Sequence, residues 1–222
     1  MAVLLSDLYE GVKSQDITLV AGEQGMNNIV RWLHMVESNA ISSFLGGQEI
    51  AFTTGVALSK EETLLDLVKS NIEHKASGMV VNIGPFIKEI PQEVIDYCNQ
   101  EGFPLFIVPW KVHMAEIMRN ISYMITESDK YNLELSGAVK NAIFFGEQDE
   151  LYVPQLERNN FLRGWEYCVT VIDIMEDGEA VAEEELQRYL KIMENYLIFS
   201  RRKTFAFELG GSIVVLFADH TE

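Results

Sequence analysis

Apolar and polar positions alternate in blocks along the first half of the chain. The run "EIAFTTG" (49–55) reads as a strand ending in a turn. Ser59 follows, with Glu62 three places on, which predicts a capping box and a helix beginning at Ser59. Leu64, Leu65, Val68 and Ile72 then recur at helical spacing, with Glu61, Asp66, Lys69 and Glu73 between them. A second apolar run, "GMVVNIG" (78–84), precedes a helix opened by Pro91, with Val94, Ile95 and Cys98 on one face. A third, "PLFIVP" (104–109), is fenced by Pro104 and Pro109. Apolar runs separated by amphipathic helices predict right-handed crossovers and a largely parallel sheet covered on both faces. Upstream, Ile17–Ala21 and Val30–Val36 are two further extended runs, separated by the turn formers of Gly22–Asn28. That connection is too short for a helical crossover. The two runs are therefore antiparallel neighbours, or a strand and a sheet-edge segment.

From Val112 the periodicity becomes helical. Met114, Ile117, Met118, Ile121, Met124 and Ile125 form one apolar face, which reads as core or dimer seam rather than a cofactor site. Polar residues at Thr126–Asn132 thin the pattern, and it returns over Leu133–Phe145. The tail holds a strand (166–175), a helix (183–203) and two strands (204–219) joined across Gly210-Gly211. The pattern predicts an α/β protein: an N-terminal largely parallel or mixed sheet with helices on both faces, then a partial ferredoxin-like α+β unit. The domains are expected at 1–127, 128–165 (a helical connector) and 166–222. A complete fold of the last kind needs another helix and strand, so the chain is expected to be an N-terminal piece of a longer protein.

Composition narrows the function. Acidic residues outnumber basic ones 34 to 17, a net charge of −17. Such a surface repels phosphate backbones, so nucleic-acid binding by this chain itself is not expected. No apolar run approaches the ~20 residues of a membrane helix, and no signal peptide is evident, so no membrane partner and a cytoplasmic location are expected. Cys98 and Cys168 lie in apolar helix and strand patterns and read as buried thiols in a reducing compartment.

The chemistry-bearing patterns are sparse. Neither phosphate-loop motif, G-x-x-x-x-G-K-[ST] or G-x-G-x-x-G, occurs. His34, His74, His113 and His220 are scattered, without ligand spacing to one another or to cysteine or carboxylate. No metal, cofactor or catalytic residue is expected. Ligands in open α/β sheets favour the carboxyl ends of parallel strands. That places a candidate small-molecule site at Thr53, Thr54, Gly55, Asn82, Ile83 and Gly84, where backbone amides and two threonine hydroxyls can meet a polar metabolite. In the tail, "VIDI" followed by a Gly-Gly hairpin resembles a GGDEF diguanylate cyclase core. Asp173 matches that family's strand aspartate, and Gly210 and Gly211 match its hairpin glycines. The signature carboxylates are replaced: the chain reads "GGSIV", with Ser212 and Ile213 in their places. Two-metal nucleotidyl transfer needs those carboxylates, so the unit is expected to be degenerate.

Taken together, "VAGEQGMNNIVRWLHMVE" (20–37), "LGGQEIAFTTGVAL" (45–58), "ASGMVVNIGPFIKEIPQEVIDYCNQEGFPLFIVPW" (76–110) and "MAEIMRNISYMI" (114–125) resemble the N-terminal region of PucR-type transcriptional regulators. The resemblance implies a bacterial, non-enzymatic sensory region that binds a small metabolite of unknown identity, in a purine-catabolism setting. It implies DNA contact only through a C-terminal helix-turn-helix absent from this chain. The apolar faces of 114–125 and 186–197 are two candidate dimer seams, and a homodimer is expected. The alternatives are a degenerate nucleotide-binding, cyclase-like module and a ligand-free dimerisation scaffold.

Overall fold

The computed structural model describes residues 3–197 and 202–219. They form two compact units, Val3–Thr126 and a second from Glu127 onward.

The first unit contains β1 (Val3–Leu4), α1 (Leu5–Val12), β2 (Thr18–Ala21), β3 (Ile29–Val30), β4 (Trp32–Met35), α2 (Asn39–Ser42), β5 (Glu49–Thr53), α3 (Leu64–Glu73), β6 (Gly78–Ile83), α4 (Gln92–Glu101), β7 (Leu105–Pro109) and the first part of α5 (Met114–Phe144). Five strands form one mixed sheet in the order β2-β7-β6-β5-β4. The last four are parallel, and β2 runs antiparallel to β7. The mixed α/β architecture expected from the apolar blocks is present. The two upstream runs are not neighbours: β2 and β4 take opposite edges of the sheet.

Strand alternation sorts the side chains onto two faces. Ala51, Met79, Val81 and Leu105 pack against Leu64, Leu67 and Val68 of α3 and Val94 and Cys98 of α4. Ile50, Phe52, Val80, Phe106 and Val108 pack against Leu5, Leu8 and Val12 of α1 and Ile117, Ile121 and Ile125 of α5. The apolar face of 114–125 is thus consumed within the unit, with Ile117 and Ile121 fully buried. Each such side chain contributes about 1.5–3 kcal/mol by burial.

The expected helix start at Ser59 is corrected. Helix α3 begins at Leu64, capped by Thr63, whose side chain accepts from the Asp66 amide while the Asp66 carboxylate accepts from the Thr63 amide. Ser59 closes a tight turn instead: its amide donates to the Glu62 carbonyl at 3.0 Å, and its hydroxyl accepts from the Glu61 and Glu62 amides. The Glu62 carboxylate is directed elsewhere, to the Asn39 amide at the start of α2. Gly22, in the turn after β2, has φ +73° and would place a Cβ 1.9 Å from the Phe103 carbonyl oxygen. Only glycine fits that backbone crossing.

The second unit contains the later part of α5, α6 (Val153–Arg158), β8 (Glu166–Ile172), β9 (Met175–Glu176), β10 (Glu179–Ala180), α7 (Glu183–Leu197), β11 (Lys203–Leu209) and β12 (Ser212–Asp219). The helix α5 is continuous through Thr126–Asn132, where the pattern had thinned. Its Leu135 and Val139, with Phe161, share a core with Phe205, Phe207, Val214 and Leu216 on one face of a β11-β12-β8 sheet. On the other face, Leu186 and Leu190 of α7 pack on Ala206, Ile213 and Val215. The second candidate dimer seam, 186–197, is therefore also turned inward at these positions. β8 lies at the sheet edge, and Cys168 is exposed there. This corrects the expectation of a buried thiol: an apolar strand pattern at an edge does not ensure cover on both faces.

Candidate functional site

The carboxyl ends of the four parallel strands share one edge of the first sheet. The register pairs Met35 of β4 with Phe52 of β5. Two residues further along each chain, Glu37 comes beside Thr54. Its carboxylate takes hydrogen bonds from the Thr53 hydroxyl (2.8 Å), the Thr54 hydroxyl (2.7 Å), the Thr54 amide (3.1 Å) and the Gly55 amide (3.0 Å). The Gly55 amide also lies 3.1 Å from the Thr53 hydroxyl oxygen. Gly55 has φ +77°, which turns successive amides toward one point. The result is an anion nest, filled by the protein's own carboxylate. Thr53 is fully buried, so its hydroxyl requires such a partner.

The second half of the candidate site lies one strand over. Asn82 is buried and donates from Nδ2 to the carbonyls of Val108 (3.1 Å) and Pro109 (3.4 Å), joining the ends of β6 and β7. The Gly84 amide donates to the Ile87 carbonyl at 2.7 Å. The Ile83 carbonyl accepts from the Trp110 amide at 2.8 Å. A Cβ on Gly84 would sit 2.5 Å from the Trp110 ring, so the bare glycine lets the indole lie against the backbone. Trp110 is 49% exposed, and Phe86 packs edge-on against it with ring centroids 6.0 Å apart.

The six residues singled out by sequence are therefore brought to one edge, on adjacent strands. Their amides and hydroxyls are engaged inside the chain: Thr53–Gly55 with Glu37, Asn82 with β7, Gly84 with Ile87. The large apolar side chains exposed at this edge are Val56, Phe86 and Trp110. Glu37, Phe86 and Trp110 were not among the candidates. The signal for Glu37 was a single acid directly after an apolar run, which by itself reads as a loop residue.

In the second unit, Asp173 follows β8 and accepts a hydrogen bond from the Ser212 hydroxyl at 2.5 Å. Gly210 and Gly211 have φ +63° and +86°, the values of a tight two-residue hairpin. The strand aspartate and the hairpin are thus adjacent. Among the described residues no group of three His, Cys, Asp or Glu could hold a metal ion. His34 is half-buried on β4, the His74 Nδ1 lies 2.8 Å from the Ser70 carbonyl oxygen, and His113 is exposed ahead of α5; His220 lies outside the described residues. Burial pushes the Cys98 thiol up to about 12, which removes it as a nucleophile near neutral pH. No helix among the described residues is long and apolar enough to cross a membrane.

A family model described as "Purine catabolism regulatory protein-like family" matches residues 7–125. The chain is similar to a curated protein of Bacillus subtilis (strain 168) named purine catabolism regulatory protein: 23% identical over 105 residues, covering 47% of this chain and 20% of that protein. The chain thus spans about a fifth of the length of the curated relative it matches. No solved structure matches.

Proposed function

The chain belongs to the purine catabolism regulatory protein-like family, and from that premise we propose that it is the sensory region of a regulator of transcription, tied to purine catabolism and without catalytic activity of its own. The observation that carries this reading is the family match over residues 7–125, which spans the whole first sheet and the start of α5. DNA contact belongs to a further domain, since a net charge of −17 disfavours contact with phosphate backbones. The effector is a small metabolite, and its place is the edge formed by Thr53, Thr54, Gly55, Asn82, Ile83 and Gly84. Because Glu37 fills the nest there, an effector carboxylate or carbonyl enters by taking over the Glu37 contacts. The exposed indole of Trp110 offers an adjacent apolar surface. In the second unit, the Asp173–Ser212 contact beside the Gly-Gly hairpin supports a degenerate GGDEF-like domain that does not cyclise nucleotides.

Two measurements test this reading. Deleting the gene changes transcript levels of purine-degrading enzymes when purines are supplied as nitrogen source; unchanged levels overturn the regulatory role. A thermal-shift screen of purines, ureides, amino acids and nucleotides should find one class that raises the melting temperature. No shift from any of them removes the effector site.

A further inference from the structure

The second unit carries a concavity that the regulatory reading does not use. It has a volume of about 320 Å³, within the range of small-molecule sites. Its walls are apolar: Val139, Ala142 and Ile143 of α5, Leu156 of α6, Val169 of β8 and Leu216 of β12. It exists because α5 ends at Phe144 and the chain returns through α6, leaving β8 uncovered beside them. Ile143 and Val169 are about half exposed, so the apolar wall is open at the β8 side.

The polar rim has a definite sign. Asp149 pairs with Arg163, so that cation is already neutralised. The Tyr152 hydroxyl lies 2.9 Å from both the Asp149 carboxylate and the Gly146 carbonyl, and the Tyr167 hydroxyl donates to the Leu162 carbonyl at 2.7 Å. Both phenol protons are thereby committed, and what the hydroxyls keep is acceptor capacity. Glu157 stands in the same rim, close enough to Tyr167 to help hold its phenol above the usual range, behind the larger effect of burial. The rim thus presents acceptors and one carboxylate in excess of its cation. The field of the whole chain, at −17, has the same sign.

We propose that this concavity binds a small hydrophobic ammonium compound, a ring or short alkyl body carrying a protonated amine. The body fills the space between Ala142, Leu156, Val169 and Leu216, and the ammonium meets Glu157 and the tyrosine oxygens. The proposal does not depend on the family assignment, since every residue it uses lies beyond the matched segment.

The test uses the full chain and three probes of one shape: 3-phenylpropylamine, 3-phenylpropan-1-ol and 3-phenylpropanoate. Calorimetry should give saturable one-to-one binding, with the amine about tenfold tighter than the alcohol and the carboxylate weakest. Glu157→Gln should bring the amine close to the alcohol. Ala142→Trp fills the concavity and should abolish binding of all three. Val169→Trp does the same from the exposed strand face, should the helix variant fail to fold by circular dichroism. The proposal is overturned if no probe binds saturably at millimolar concentration, if the amine is no tighter than the alcohol, or if a folded tryptophan variant binds as the parent does.

Discussion

At the scale of single residues, Glu37 holds the most consequential contacts in the first unit. Its carboxylate is the common acceptor for two hydroxyls and two amides at the end of β5. Glu37→Ala strands the buried Thr53 hydroxyl and the Thr54 amide, and should cost about 2–3 kcal/mol in urea unfolding. Glu37→Gln keeps one acceptor oxygen and should cost less. The sequence could not announce this residue, because its role depends on β4 lying parallel to β5 in one register, and local pattern carries no register. The two thiols give a second residue-level prediction. Cys168 should react with a thiol reagent at neutral pH in the folded chain, and Cys98 only after unfolding; modification of both at equal rates would contradict the burial of Cys98. The raised Cys98 pKa also has a sign. The unfolded chain loses that proton first, near pH 9, so its contribution to stability is complete below that pH and is lost as pH rises toward 12.

At the scale of elements, α3 shows what sequence pattern resolves and what it does not. The helix and its buried face were legible from the spacing of Leu64 and Val68. Its first turn was not, because two capping signatures overlap: Ser59 with Glu62, and Thr63 with Asp66. Tertiary structure decides between them by drawing Glu62 to the amide of Asn39, a residue far upstream. Thr63→Ala should therefore cost about 1 kcal/mol, and Ser59→Ala at most about half of that, in chemical denaturation. The Thr63 hydroxyl and amide, with Lys69 beyond them, hold the Asp66 carboxyl below the usual range. The cap's stabilisation is full above the ordinary aspartate pKa and fades as pH falls through and below it. The difference between Thr63→Ala and parent should shrink in parallel. The choice between the two arrangements left open for β2 and β4, neighbours or a strand with a sheet-edge segment, was beyond the sequence for another reason. A short turn-rich connection suggests adjacency, but the sheet threads β5, β6 and β7 between them.

At the scale of the whole molecule, the excess of carboxylates is the feature that was plain from composition. Self-repulsion at −17 opposes compactness, and salt relieves it. Raising ionic strength from about 0.01 M to 0.15 M shortens the screening length from about 30 Å to about 8 Å. The melting temperature should rise over that range. A fall would mean that specific ion pairs outweigh the net repulsion. The same field predicts that the binding of an ammonium probe weakens as salt is added. How the tail is packed was less legible than the succession of its strand, helix and hairpin along the chain. The sequence assigned Leu135, Val139 and Phe161 to a connector, but they lie in the core of the second sheet. Amphipathic periodicity shows that a face is apolar without naming what it meets. The bare backbone of Gly84 has one last consequence. By seating a half-exposed indole at the end of β7, it equips the candidate effector edge with an intrinsic fluorophore. With Trp32 and Trp165 replaced by phenylalanine, emission from Trp110 alone would register arrivals at that edge without any attached dye.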